Sequence, residues 1–182
     1  MKIQYTLSRS DLLNNQLYIA SISERIKKKR RKSKLVVPLS YLILALLVLA
    51  IGYVTMAIVL VVFGVLWYIV YPQYLSSKYV MHYADFINEN FAHLLSDSIF
   101  LTIDDDFIIS KDKISEGKIK LTEIKSIIRL SDNYLINLGL GSNLVLPLMD
   151  IQKDKNVIST FVEKISEKTG LTIEDKSSWR WQ

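Results

Sequence analysis

The sequence predicts an α+β membrane protein, in which a two-helix transmembrane hairpin precedes a small antiparallel β domain closed by a helix. Three features lead to this fold class. The 43 residues Leu35–Ser77 contain no Asp, Glu, Lys, Arg or His. From Ser98 onwards, short runs rich in β-branched residues alternate with Asp, Gly, Asn and Ser, as in a sheet of short strands. An amphipathic helical pattern follows, and Gly170 is placed to end it.

A strongly basic segment lies directly before the uncharged run. Its eight cations are Arg25, Lys27, Lys28, Lys29, Arg30, Arg31, Lys32 and Lys34. The whole chain carries +5, so the rest carries 5 − 8 = −3. A nucleic-acid-binding domain carries its basic surface on the folded unit, so we expect no nucleic-acid partner. Cations beside a first span instead stay on the cytoplasmic side and contact anionic lipid headgroups.

The apolar run Leu35–Tyr71 is too long for one perpendicular helix. As a helix it would extend about 55 Å, against about 30 Å of bilayer hydrocarbon. We therefore predict two spans, at about 35–51 and 54–71, with Gly52 at the turn, where glycine tolerates unusual backbone angles. A single tilted span and a soluble core helix are the alternatives. Two spans return the chain to its starting side, so both termini are predicted to be cytoplasmic.

Aromatic residues near the ends of the run favour the hairpin. A hairpin brings them to one membrane face, where they form an interfacial belt. The four residues of this belt are Tyr41, Trp67, Tyr68 and Tyr71. Pro38 is predicted in the first turn of span one and Pro72 at the close of span two, where proline does little harm.

The residues before the basic segment, within 1–34, divide into a strand and a helix. Alternating apolar residues over Ile3–Leu7 predict a strand, and we expect it to cover an edge of the later sheet. Ser8 or Ser10 can cap the following helix. Its apolar stripe either packs against the protein or lies along the membrane surface. The stripe is formed by Leu13, Leu17 and Ala20.

The second half of the chain predicts a connecting helix, a β domain and a tail. The connecting helix covers 72–97, the β domain with its final helix covers 98–170, and the tail covers 171–182. Several strands followed by one helix match a pleckstrin-homology-like (PH-like) barrel, in which the helix plugs one open end. The tail contains a candidate partner-binding group, formed by Trp179, Arg180 and Trp181.

The sequence contains no pattern typical of a catalytic, cofactor or metal site. Asp104–Asp106 lacks the Gly and Glu of an EF-hand loop and predicts a hairpin turn instead. His82 and His93 would stand about 16 Å apart along one helix, and there is no cysteine. Gly139–Leu144 lacks the third glycine of a dinucleotide loop and also predicts a hairpin turn. We therefore expect no enzyme, no cofactor and no bound metal.

The layout resembles the YcxB-like bacterial membrane proteins over nearly the whole chain. The similarity rests on residue patterns, namely a start reading KIQYTLSRSDLLNNQLY, a basic run, two close spans, and LTEIKSIIRLSDNYLINLGLGSNLVLPLMD before a closing helix. It implies a bacterial cytoplasmic membrane location and a PH-like cytoplasmic domain, and no catalytic residues. The chain departs from the pattern by a very short link between spans and by the added Trp-Arg-Trp group.

Two functions fit these expectations. The first is a membrane-anchored protein-binding or scaffold module, whose partners are the bilayer and a resident membrane or cytoplasmic protein. The second is an immunity protein that neutralises an interbacterial toxin by direct binding. Co-purification with a resident partner indicates the first function, and rescue of cells that express the toxin indicates the second.

Overall fold

The chain folds into two compact units. A computed structural model describes residues 1–95, 97–113, 115–139, 142–148 and 155–181. The first unit, here called the β unit, comprises Met1–Gln16 and Tyr83–Arg180. The second, here called the helical unit, comprises Leu17–His82 and Trp181–Gln182. The helical unit is therefore inserted in the chain between two parts of the β unit.

Two four-stranded sheets form the β unit. The first sheet has the order β1-β2-β3-β4 and is antiparallel throughout. Its strands are β1 (Lys2–Thr6), β2 (Ser98–Ile103), β3 (Phe107–Lys111) and β4 (Glu116–Lys120). The second sheet has the order β7-β6-β5-β8. Its strands are β5 (Ser126–Arg129), β6 (Asn133–Asn137), β7 (Asn143–Pro147) and β8 (Ile173–Asp175).

The second sheet differs from the predicted single antiparallel sheet in two respects. It is a separate sheet, and β8 pairs parallel to β5, with Ile127 opposite Ile173. This strand comes from 171–182, the segment assigned to the tail. The three residues of β8 cover the otherwise open edge of β5. A strand this short has no recognisable sequence pattern, so it was not predicted.

The pairing of β1 with β2 confirms that the start of the chain joins the later sheet. The two strands are antiparallel, with Lys2 opposite Thr102 and Thr6 opposite Ser98. Ile3 and Tyr5 point inward and are almost completely buried, as the alternating pattern predicts. Burial raises the pKa of the Tyr5 hydroxyl. The first sheet thus depends on residues that precede both long helices.

The core of the β unit lies against the helix α4 (Lys155–Thr169). Phe161, Val162 and Ile165 are fully buried, and they follow one another at helical spacing on one face. Gly170 directly after the helix has φ +69, a conformation that glycine adopts without steric cost, so its predicted role as the helix end is confirmed.

Helix α1 (Arg9–Ile22) begins with a reciprocal cap. The backbone N–H of Asp11 donates to Ser8 Oγ at 3.2 Å, and the Ser8 N–H donates to Asp11 Oδ2 at 2.9 Å. Ser8 is therefore the cap, whereas Ser10 lies inside the helix. Leu17 and Ala20 are buried within the protein and Leu13 is half-buried, which favours the expectation that this stripe packs against the protein.

The helical unit contains the long helix α2 (Glu24–Ala50) and the greater part of a second one, α3 (Val54–Asn90). They are joined by a turn in which Gly52 has φ +99, so the predicted turn position is confirmed. Both helices are long and apolar enough to cross a membrane. Only 6% of the most apolar stretch of α2 and 11% of that of α3 is buried, whereas a soluble core helix would be mostly buried.

Both prolines occupy helix interiors, which corrects the expectation that each lies at a helix end. Pro38 lies well inside α2, because the basic segment continues the same helix back to Glu24. Pro72 lies inside α3, so the predicted connecting helix is the second half of α3 and ends at Asn90. Lys and Arg are good helix formers, and long helices whose packing fixes their backbone can accommodate a proline.

Small residues bring the two long helices together. In the apolar parts of α2 and α3, the buried residues are Ala45, Ala57 and Gly64. A Cβ atom at Gly64 would lie 3.4 Å from Tyr41 Cβ and 3.6 Å from the Pro38 carbonyl oxygen. Contact at a glycine lets two backbones approach closely, which is how apolar helices gain packing energy in lipid.

The approach at Gly64 predicts a disulfide crosslink. In a Tyr41→Cys, Gly64→Cys double variant the Cβ atoms would lie about as far apart as in natural disulfides, which average about 3.8 Å. The chain has no native cysteine, so an oxidant should produce one intramolecular disulfide. A reversible shift on a non-reducing gel measures it. The control pair is Leu42→Cys with Gly64→Cys, because Leu42 is exposed; equal crosslinking of both pairs would contradict the packing.

Candidate functional site

The basic segment is divided by the helix into two groups. Six of its cations are exposed on α2: Arg25, Lys27, Lys28, Lys29, Arg31 and Lys32. Arg30 and Lys34 are half-buried and pack on aromatic rings. The Arg30 guanidinium lies 4.7 Å from the Trp181 ring centroid, and Lys34 Nζ lies 4.1 Å from that of Tyr68. These are cation–π distances, so the two cations also have a structural role.

Three of the four residues predicted to form an aromatic belt, Trp67, Tyr68 and Tyr71, lie on α3, and Tyr41 lies at a different level. Trp67 and Tyr71 stack at 5.1 Å, and Tyr71 also contacts Tyr74 at 6.5 Å. Tyr41 lies beside Gly64, one helical turn nearer the Gly52 end than Tyr68. Tyr41 precedes Gly52 by 11 residues and Gly64 follows it by 12, so the distance from the turn determines this level.

Trp181 is the member of the Trp-Arg-Trp group that belongs to the helical unit. Its ring meets Tyr79 edge-on at 5.7 Å, and its indole N–H donates to the Ser76 carbonyl at 3.2 Å. Its other neighbour is Arg30. Arg180, in contrast, is exposed and donates to the carbonyls of Ser177 and Trp179. The partner-binding role of the three residues stays a prediction.

A groove of about 370 Å³ lies between the basic part of α2 and the second half of α3. It is lined by Lys29, Arg30, Ser33, Tyr71, Leu75, Lys78, Tyr79 and His82. Three lysine or arginine side chains and one histidine thus converge on it, and its lining contains no carboxylate. A groove with this lining attracts an anion and can hydrogen-bond it through several donors at once.

Two cavities of the β unit differ from this groove in their charge. A cavity of about 750 Å³ has Lys120 and Lys168 in its wall, but also Asp105 and Asp106. Lys168 Nζ lies 3.7 Å from an Asp105 carboxylate oxygen. A second cavity, of about 570 Å³, likewise combines lysines with acidic residues. In both, the neighbouring carboxylates reduce the attraction for an anion.

The predicted turns form as turns. The backbone N–H of Asp104 donates to the Phe107 carbonyl at 2.9 Å, which closes the β2–β3 hairpin. Gly139, with φ +77, begins the turn between β6 and β7, where part of the loop lies outside the described residues. Within the described part of the chain, no three His, Cys, Asp or Glu side chains are arranged to hold a metal ion.

The α3 side of the groove was missed from the sequence. Tyr71, Leu75, Lys78, Tyr79 and His82 recur at three- and four-residue steps, so they share one helix face. The predicted connecting helix over 72–97 already contained the last four of them, but their shared face was not recognised. The expectation that Pro72 ends span two separated Tyr71 from the others.

Comparisons with known proteins identify no relative. No family model, curated protein or solved structure matches the chain. The resemblance to YcxB-like proteins therefore stays a prediction.

Proposed function

We propose that this protein is a membrane-anchored binding module of the YcxB-like type, held in a bacterial cytoplasmic membrane by the α2–α3 hairpin. One observation carries the proposal. Strand β1 precedes both long helices, β2 follows them, and the two strands are hydrogen-bonded neighbours in one sheet. The chain between them must therefore cross a membrane an even number of times. A single crossing would separate β1 from β2.

The dimensions of the hairpin support two crossings. The uncharged residues 35–50 of α2 and 54–71 of α3 extend about 24 Å and 27 Å, near the short end of the spanning range. The Ser40 hydroxyl, within the first of these stretches, donates to the Val37 carbonyl at 2.7 Å. Lipid offers no hydrogen bonds, so a polar group there needs an internal partner of this kind.

The charge distribution supports a cytoplasmic β unit. The eight cations of the basic segment lie on the flank of α2 away from Gly52, and cations near the ends of spans are retained in the cytoplasm. The strands before α4 group as four and then three, and this order followed by a helix is the one expected of a PH-like domain. Such a domain at a membrane surface serves as a protein-binding scaffold in this proposal, without catalysis.

Cysteine labelling tests the topology. Tyr53 at the turn is 66% exposed, and Ser178 in the β unit is also exposed, so single cysteines at these positions can react. In intact cells, a membrane-impermeant maleimide should label Tyr53→Cys and leave Ser178→Cys unlabelled. Permeabilised cells are the control, and there both variants should react.

Two results would contradict the proposal. Labelling of Ser178→Cys in intact cells would put the β unit outside the cell. Protection of Tyr53→Cys in intact cells, with labelling after permeabilisation, would mean that the turn does not reach the far side of the membrane. β1 and β2 can pair only on one side of the membrane. A result that puts the two flanks of the hairpin on opposite sides is therefore incompatible with a folded first sheet.

A further inference from the structure

We propose that the groove between α2 and α3 is a binding site for the phosphate headgroup of an anionic phospholipid. This inference rests on the proposed membrane anchoring. It goes beyond general attraction of the basic segment to the membrane, because it assigns a defined site to Lys29 and Arg30 of α2 together with Lys78 and His82 of α3.

The position of the groove agrees with the depth of lipid headgroups. Arg30 precedes the uncharged stretch by five residues, or about 7 Å of helix, and Lys78 follows Tyr71 by seven residues, or about 10 Å. The headgroup layer on each side of a bilayer is about 5–8 Å thick. The groove cations therefore lie at the level of the headgroups or just outside it when the uncharged parts of α2 and α3 span the hydrocarbon.

The lining of the groove is graded along α3. Tyr71 and Leu75 occupy the part nearest the apolar stretch, and Lys78 and His82 occupy the part farthest from it. A phospholipid has the same gradient, because its glycerol and acyl carbons adjoin its phosphate. A lipid combines a phosphate with adjoining apolar carbons by its own structure, whereas inorganic phosphate has no apolar part, so the lipid is the better fit.

Trp181 fixes the direction of the most buried cation. The Arg30 guanidinium carbon lies over its ring at 4.7 Å from the centroid, and Tyr79 and the Ser76 carbonyl hold the ring in turn. A guanidinium can lie over an aromatic ring and also donate two parallel hydrogen bonds to a phosphate, because its N–H donors lie in its own plane. A preorganised arginine loses less entropy when the lipid binds.

Two double variants that remove the same charge distinguish a defined lipid site from general attraction of the basic segment to anionic lipids. The groove variant is Lys29→Gln with Lys78→Gln. The control is Lys28→Gln with Lys32→Gln; all four lysines are exposed, and the control pair is not part of the groove lining. The probe is phosphatidylglycerol, compared with phosphatidylcholine, added to the full chain in detergent micelles, and native mass spectrometry counts the retained lipids.

We expect the wild-type protein and the control to retain one phosphatidylglycerol in preference to phosphatidylcholine. The groove variant should bind it at least about tenfold more weakly, because each lost charged hydrogen bond to the phosphate has an effect of this size. Equal weakening in both variants, or equal retention of the two lipids, would overturn the proposal. Displacement of the lipid by excess inorganic phosphate would overturn the lipid assignment.

The lipid and labelling measurements together distinguish failure of the headgroup site from failure of the proposed anchoring. If the wild-type protein shows no preference for phosphatidylglycerol while Tyr53→Cys and Ser178→Cys are labelled as expected, the headgroup site alone is contradicted. An altered labelling pattern would contradict the anchored topology, whatever the lipid measurement gives.

Discussion

Replacing Ile3 with aspartate is expected to destabilise the β unit by about 3–5 kcal/mol, because it puts an unpaired carboxylate into the core. Ile3 is only 2% exposed and lies opposite Leu101, which is completely buried. Lys2 is the next residue of the ladder, but alternate residues point to opposite faces of a sheet, so its ammonium does not pair with a carboxylate at position 3. Urea-dependent proteolysis of the full chain in detergent micelles, followed by the loss of the protease-resistant β unit, measures the change.

Gln4→Asp is the matched control, since it puts the same charge on the same strand. Gln4 points to the other face of the first sheet, beside Phe100, and is only half-buried. We expect it to cost less than about 1 kcal/mol, as surface substitutions usually do. Equal destabilisation by the two aspartates would mean that β1 does not present alternate residues to the core. Neither variant changes α2 or α3, so both proteins should still fractionate with membranes.

Replacing Gly64 with leucine is expected to force α2 and α3 apart. A single Cβ at this position already lies 3.4 Å from Tyr41 Cβ and 3.6 Å from the Pro38 carbonyl oxygen. Three further carbon atoms have no space unless the helices move, and overpacking of this kind costs about 1–3 kcal/mol. The melting temperature of the full chain in micelles, followed by far-UV circular dichroism, should fall.

Val65→Leu is the control for this change. Val65 is the next residue of α3 and is 53% exposed, so a larger side chain there projects away from α2. Gly64→Ala should lie between the two, because its methyl group fits at ordinary contact distance. An unchanged melting temperature for Gly64→Leu would show that the helices do not meet at this glycine.

Local patterns were enough to predict the main elements. The turn at Gly52 could be predicted because a run of fixed length had to be divided, and only one glycine lay near its middle. Strand β1 could be predicted because alternation places Ile3 and Tyr5 on one face. Each of these inferences depends on residues within a few positions of one another.

Helix continuity was the main error of the sequence predictions. Pro38 and Pro72 were expected to mark span ends, yet both lie within helices. Proline removes one hydrogen bond and disfavours the preceding helical turn, which is a local cost. Whether a helix continues through a proline depends on the helix propensity and packing of all the residues on both sides. A rule for proline alone does not take these residues into account.

By itself, the sequence determined the apolar length of the two long helices, the alternation of the strands and the concentration of positive charge on one flank. These properties depend on composition and on short-range spacing. Only the tertiary structure decided that β1 joins a sheet that follows both helices, that Arg30 stacks on Trp181, and that Lys78 belongs to the same groove as Lys29. These contacts join residues far apart in the chain, and Trp181 reaches Ser76 across 105 positions. Their geometry follows from helix phase and packing, which sequence periodicity alone does not specify.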